Sequence, residues 1–286
     1  MATFRKVATL AVTFIGGGIA GSKLEHLLKQ KDGYIKKLEA AAPLDINRPN
    51  EIMRFGFPNN GNINIKKNYV LGYDNRLRNA SWVFEHINKD LLNTKQSDRL
   101  NSSFSPDSSI HPFFRGTNQD FWNSGYDRGH LAAASNHRAS QEWMDDTFHL
   151  SNIVPQNPIM NQQAWNNLEK YVRSLAYHYD NVYVCTGPLY LPKQDGSGKM
   201  RVSYQVIGRN HIAVPTHLYK VVVCERNSRF ELLSYVMANE WVDPSVPLKN
   251  FLYPIEAIER ASGLLFFDRI PRERFWKINH GKETEL

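Results

Sequence analysis

Residues 127–130 read Asp-Arg-Gly-His: an acid, a guanidinium, a glycine and an imidazole in succession. Leu131, Ala132, Ala133 and Ala134 follow directly. Arg128 can hold a phosphate or a carboxylate in a forked geometry. Gly129 lets the backbone turn sharply and lets another group approach closely. His130, with its second ring nitrogen bonded to a carbonyl, is poised near neutral pH to take a proton from water. Small residues beyond it leave a cleft rather than a plug. A structural ion pair between Asp127 and Arg128 beside a satisfied histidine is the bland alternative, and a tetrapeptide alone does not decide between them.

A second group of polar residues lies downstream in "LSNIVPQNPIMNQQAWNNLEKY", an Asn-rich turn opening a helix. Asn161 and Glu169 stand about two helical turns apart and so face one side of it. An amide oxygen with a carboxylate two turns on makes a weak, oxygen-rich site. Such a site suits a hydrated hard cation such as magnesium, with manganese as the substitute, which keeps most of its waters and takes phosphate oxygens. The alternative for Asn161 is a helix cap.

The elements that must position these groups can be read from periodicity. "NYVLGYD" and "ASWVFEHI" alternate apolar and polar residues and form a hairpin across "NRLRN". "QSDRLNSSFSPDSSIHPFFRGTNQD" reads as a long surface loop, and loops of that length in compact domains usually carry function. A short helix is expected over 141–147, and "FHLSNIVPQ" as strand then turn. The strongest helix runs from Asn161, with Trp165, Leu168, Val172, Leu175 and Ala176 at three- and four-residue spacing and Asn161 or Met160 at its cap. "NVYVCTGPLYL", "VSYQVIG", "THLYKVVVCE" and "FELLSYVMA" follow as strands. "PIEAIERASG" is a late helix between Pro254 and Gly263. The pattern is that of a sheet-rich α+β domain.

Composition bounds the partners. Hydrophobic residues make up 42% of the 286, which excludes a chain disordered throughout. The net charge of +7 favours an anionic partner without choosing between nucleic acid and lipid. Cys185 and Cys224 sit in β-like apolar runs and are expected to be buried thiols, too few for a disulfide framework. Residues 1–45 hold seven basic and four acidic residues, so +3 of the total lies there. "MATFRKVATLAVTFIGGGIAGSK" is basic and acid-poor, and its apolar run is shorter than the roughly 20 residues of a spanning helix. It suits a mitochondrial presequence better than a secretory signal; an uncleaved short anchor is the remaining alternative. The expected organisation is a presequence and linker over 1–45 and one folded domain over 46–286, with no stable integral membrane domain.

The run "YDRGHLAAASNHRASQEWMDDTFHLSNIVPQNPIMNQQAWNNLEKYVRSL", followed by "VYVCTGPLYLP", "YQVIGRNHIAVPTHLYKVVV" and "IERASGLLF", resembles the DNA/RNA non-specific endonucleases. The likeness covers roughly residues 50–268 and is strongest to the mitochondrial branch. It implies an α+β, ββα-metal (His-Me finger) nuclease fold, with a mixed or antiparallel sheet flanked by helices. Carried onto this chain, it implies His130 as general base and Asn161 as the single direct protein ligand of magnesium. Glu169 and Asn152 match positions that order the metal's waters and the site's network. Arg99 is similar to the family's phosphate-holding arginine, while Arg128 either adds an anion contact or is structural. His149 departs from the family, which has an aromatic hydroxyl there. A two-histidine metal site through His137 is disfavoured, because the asparagine site already accounts for the metal.

The resemblance further implies phosphodiester hydrolysis in DNA and RNA through phosphate contacts, a homodimer, residence in the intermembrane space, and release to the nucleus in cell death. Three other readings stay open. One is a catalytically silent nucleic-acid-binding protein, which would need a broken site. Another is a membrane-surface protein, resting only on the N-terminus and charge. The third is a paralogous mitochondrial exo/endonuclease, which usually carries a C-terminal helical extension beyond the point where this chain ends.

Overall fold

The computed structural model describes residues 47–59 and 61–281. The presequence and linker expected over 1–45 lie outside the described residues. Among the described residues, no helix is long and apolar enough to cross a membrane.

Why a sheet forms here is visible in its strands. β1 (Ile63–Ile65), β2 (Tyr69–Asp74), β3 (Asn79–Ile87), β6 (Asn181–Leu189), β11 (His217–Arg226), β12 (Arg229–Ala238) and β13 (Phe275–Ile278) make a seven-stranded sheet in the order β1-β2-β3-β6-β11-β12-β13. Neighbours are antiparallel except β12 and β13, which run parallel, so the sheet is mixed. Its central strands are rich in β-branched and aromatic residues and are buried on both faces. On β6, Val182 and Val184 face one core, and Tyr183 and Cys185 the other. Both cysteines are free and buried, as their apolar contexts predict.

The first core packs under helix α5 (158–175), which follows α1 (Asn47–Ile52), α2 (Lys89–Asn93), α3 (Asn118–Phe121) and α4 (Gln141–Asp146) in the chain. Met160, Ala164, Trp165, Leu168, Val172 and Leu175 supply its apolar stripe. The second core packs under α6 (Ile255–Ser262), which ends on Gly263 at φ +70°, a left-handed position that glycine fills without strain. The hairpin of β2 and β3, helix α4 and helix α6 all stand where periodicity places them.

Three expectations are corrected. Helix α5 begins at Pro158, capped by Asn157, whose side chain accepts from the Ile159 and Met160 amides at 3.0 and 3.2 Å; neither Asn161 nor Met160 is the cap. Residues 150–152 form a 3-10 turn, so the strand in this stretch is only β5 (Ile153–Gln156), paired with β4 (Asp127–His130). β7 (Lys193–Gln194) and β8 (Met200–Arg201) pair as one short ribbon, and of "VSYQVIG" only β9 (Val206–Ile207) is extended, in another with β10 (Ile212–Ala213) apart from the main sheet.

A buried polar chain locks the start of the fold to the segment after His130. Arg48 donates to Asn68 (2.7 Å), to the His86 carbonyl (2.8 Å) and to His86 Nδ1 (2.7 Å). Asn68 meets His137 Nδ1 at 2.9 Å, and His137 Nε2 donates to Glu85 at 3.0 Å. Burial, and then the Arg48 charge, push His86 down to about 4, so its ring stays neutral and accepts from the guanidinium. His137 is fully buried in this chain.

Arg48→Ala is expected to destabilise the protein by about 2–4 kcal/mol, because it removes charged hydrogen bonds and leaves buried acceptors unpaired. Arg48→Lys should recover little, since the forked geometry is lost. Urea unfolding measures both; an Ala cost under about 0.5 kcal/mol, the range of ordinary surface sites, would show that the chain adds nothing.

Candidate active site

Strand β4 carries the Asp127–His130 motif, and its pairing with β5 fixes the register: Asp127 opposite Gln156, Gly129 opposite Val154, His130 opposite Ile153. Gly129 is needed for close approach rather than for a turn. A Cβ there would overlap the buried side chain of Gln156, which crosses the strand at this point. Ala133 and Ala134 line the cleft beside His130, as their small size suggests, while Leu131 and Ala132 belong to the core instead.

The cleft has a volume of about 210 Å3 and is walled by Arg99, Arg128, His130, Asn161, Asn166 and Glu169 among others. Five of the six predicted site residues therefore meet in one place. Asn152 does not. Its amide donates to the Ala132 and Thr147 carbonyls (3.0 and 2.9 Å) and its oxygen accepts from the Ala132 amide (2.9 Å). With both amide hydrogens and one oxygen lone pair given to backbone, Asn152 braces the chain beyond His130. His149 also stays apart: its Nδ1 donates to the Asp146 carbonyl at 3.1 Å.

Aromatic rings hold the charged groups. The His130 ring packs against Phe104 at 5.4 Å and Phe148 at 4.8 Å between centroids. Arg128 lies over the Phe104 ring at 4.3 Å and Arg99 over Phe148 at 5.5 Å. Neither guanidinium has an acidic partner among the described residues. Arg128 instead donates to Asn118 Oδ1 at 2.9 Å. The ion pair between Asp127 and Arg128, the bland alternative to a functional motif, is thus not formed.

Asp127 serves another purpose, one that sequence reasoning missed. Its carboxylate accepts from the amides of Asn161 (2.9 Å) and Gln162 (3.0 Å). A carboxamide has one donor end and one acceptor end. Holding the donor end leaves Asn161 Oδ1 free towards the cleft. The missed signal was the excess of amides opening the helix, which need an acceptor close by.

Asn161 and Glu169 share a face for a reason that regular helix geometry does not supply. In an uninterrupted α-helix, an eight-residue separation leaves roughly 80° between two side chains. Residues Asn161–Trp165 are π-helical. The wider turn takes up about one residue and reduces the offset to roughly 20°. Both side chains then line the cleft.

Burial shifts the titrating groups in opposite directions. His130 is pushed down to about 3 by burial and then by the Arg99 charge, so the free ring is neutral. Its Nε2 is covered and has no hydrogen-bond partner, contrary to the carbonyl partner expected for it. Nδ1 is left as the nitrogen facing the cleft. Burial raises Glu169 to about 6, opposed by the charges of Lys220 and Arg173. Among the described residues, no cluster of three or more His, Cys, Asp or Glu side chains could cage a metal. What the cleft offers is the unengaged Asn161 oxygen and the Glu169 carboxylate, a donor set that fits a hard cation keeping most of its waters.

Comparison with known proteins places these features. The sequence profile described as "DNA/RNA non-specific endonuclease" matches residues 48–273. The mitochondrial endonuclease G of Homo sapiens is 54% identical over 221 residues, which are 77% of this chain and 74% of the relative. The mitochondrial nuclease EXOG of Homo sapiens is 41% identical over 224 residues, 77% of this chain and 61% of that one. A solved structure of an EndoG/EndoGI complex superposes with a TM-score of 0.81 at 48% identity, covering 83% of this chain and 98% of its own.

Glu169 holds its proton more tightly in the folded than in the unfolded chain, so its ionisation works against folding. The stabilisation from the neutral carboxyl is fully present below about pH 4.5 and is lost as pH rises through about 6. The unfolding free energy of the wild type minus that of Glu169→Gln should therefore fall by at most about 2 kcal/mol across that window. His130 titrates in the opposite sense in both proteins and cancels in the difference. Urea unfolding in chelator at either end of the window makes the measurement; a flat difference would show that the carboxyl is not desolvated.

Proposed function

The chain belongs to the DNA/RNA non-specific endonuclease family, and on that premise we propose that His130, Arg99, Arg128, Glu169 and Asn161 are its catalytic set. The chain is a mitochondrial nuclease that hydrolyses phosphodiester bonds of DNA and RNA. The observation that carries the residue assignment is the Asp127 clamp: it fixes the Asn161 oxygen in the cleft that His130 and both arginines share.

In this reading, His130 Nδ1 takes a proton from a water molecule as that water attacks phosphorus in line with the departing 3′-oxygen. The bond to that oxygen breaks and the departing alkoxide takes a proton from solvent water, leaving a 5′-phosphate and a 3′-hydroxyl. An imidazole held near 3 is a poor proton acceptor. A phosphodiester anion between Arg99 and His130 offsets the guanidinium charge and raises the ring's proton affinity back towards its ordinary value. Arg99 and Arg128, neither neutralised by a carboxylate, hold the non-bridging oxygens. Glu169, ionised above about pH 6, orders water on the opposite wall.

Asn161 and Glu169 would hold a divalent cation, magnesium or manganese, whose charge offsets that developing on the transition state and the leaving oxygen. Asn152 acts as a brace on the His130 segment. Every group in the cleft addresses phosphate or water, which supports cleavage without base readout. The higher identity to endonuclease G than to EXOG favours an endonuclease G-like role, with residence in the intermembrane space, nuclear release in cell death and a homodimer. Residues 1–45 serve as presequence and linker ahead of the 46–286 domain.

His130→Ala should lower cleavage of plasmid DNA and of RNA by roughly 10²–10⁴-fold. Binding, which comes mostly from phosphate contacts and falls steeply with salt, should be nearly unchanged. Cleavage within threefold of wild type would move the base elsewhere, with His149 next to be substituted.

Asn161→Ala should depress turnover by orders of magnitude even at high magnesium. Asn161→Asp should still bind the cation yet turn over slowly, because the added negative charge faces an anionic transition state. Calorimetric titration with magnesium reads binding apart from activity. Full activity of both variants with no change in cation affinity would remove Asn161 from the site.

A further inference from the structure

Next to the reaction cleft lies a second hollow of about 400 Å3, and Arg128 stands on the wall common to both. Its size falls in the range of small-ligand sites, about 300–1,000 Å3. Asn118, Trp122, Asn123, Tyr126 and Asp127 line it with Arg128. Trp122 is 72% exposed, as Trp241 and Trp276 also largely are, but it borders this hollow beside Arg128.

That exposure does not come from a loosely held loop. Asp120, buried just before it, accepts from the Thr117 amide (2.8 Å), the Asn210 amide (3.0 Å) and the Asn210 side chain (2.7 Å). Phe121 is buried against Leu150, Ile153 and Ile207. Ser124 Oγ donates back to the Phe121 carbonyl at 2.9 Å. Residues on both sides of Trp122 are thus fixed, and the indole is held out from the surface by a rigid turn.

The polar atoms around it belong mainly to carboxamides, at Asn118 and Asn123. Asn118 Oδ1 already accepts from Arg128, which ties this hollow to the phosphate-facing wall. The Asp127 carboxylate is engaged by Asn161 and Gln162. A flat π-face with amide edges beside a guanidinium suits a flat heteroaromatic ring attached to a phosphate.

We propose that this hollow is a nucleobase subsite: a base next to the scissile phosphate leaves its stack and lies on Trp122, with the Asn118 and Asn123 amides at its edge. The inference rests on the nuclease reading above and deepens it. Stacking accepts any base, because every base has a π-face. An unpaired strand can offer such a base directly, whereas a duplex must first unstack one. The subsite therefore favours single-stranded and locally opened substrate without introducing sequence preference.

The test is equilibrium binding by the catalytically disabled His130→Ala protein in chelator. The probes are a short labelled single-stranded oligodeoxynucleotide and the same backbone carrying abasic residues throughout. Adding Trp122→Ala should raise Kd for the base-containing strand roughly 5- to 100-fold, and by no more than about twofold for the abasic strand. Trp122→Phe, which keeps a ring, should retain most of the affinity. Equal weakening on both probes, no weakening on either, or a Phe variant as weak as the Ala variant would overturn the subsite. Digestion of plasmid and RNA by the unmutated chain tests the nuclease reading separately. Failure there with base-dependent binding intact would remove the reaction and leave the subsite standing.

Discussion

The Asp127 carboxylate accepts from Asn161 at 2.9 Å and from Gln162 at 3.0 Å, and through it β4 is tied to the opening turns of α5. Those two elements carry the two ends of the proposed chemistry: His130 ends the strand that Asp127 begins, and Glu169 lies further along the helix. An amide is nearly symmetric in shape, so packing alone cannot tell its oxygen from its nitrogen. A carboxylate can, because it only accepts. Without Asp127, Asn161 would present donor or acceptor to the cleft with little preference, and a cation needs the acceptor.

The electrostatics of the cleft follow from what its walls are made of. Phe104 and Phe148 flank the His130 ring on their inner sides and meet Arg128 and Arg99 with their faces. A carboxylate partner would anchor a guanidinium more firmly but would also neutralise it. A ring face holds the cation in place and leaves its charge for the substrate. Burial among these rings lowers the basicity of His130, and burial on the other wall raises the pKa of Glu169. Each group then awaits an anion or a cation to restore its ordinary chemistry.

Most of the framework was legible because hydrophobic periodicity survives in each long element. β3, β6, β11 and β12 stand where alternating or continuous apolar runs placed them, and α5 buries the predicted Trp165, Leu168 and Val172. His130, Asn161, Glu169, Arg99 and Arg128 share one cleft as expected. The failures are local and have local causes. Asn157, followed by proline, competes better for the cap than Asn161 because a proline at the first helical position needs no amide partner. Asn152, carried from the family resemblance, lies outside that cleft and spends three hydrogen bonds on backbone. The π-turn at Asn161–Trp165 carries no periodicity signal, since one extra residue in a turn shifts the apolar stripe too little to notice.

The lack of sequence preference then has a structural origin in how the walls divide the work. The reaction cleft presents guanidinium, imidazole, carboxylate and amide oxygen, groups that pair with phosphate and water and are indifferent to the base. Next to it, the proposed subsite offers Trp122 as a π-face that takes any base by stacking, with two carboxamides at its edge. Arg128 stands on both walls and sets the spacing between them. A backbone phosphate bound on one side and a base stacked on the other would fix a nucleotide in register without reading which nucleotide it is. Neither surface by itself distinguishes a ribose from a deoxyribose. With the proposed subsite, choice of substrate would be set by how easily a strand yields an unstacked base, a property of its structure and not of its sequence.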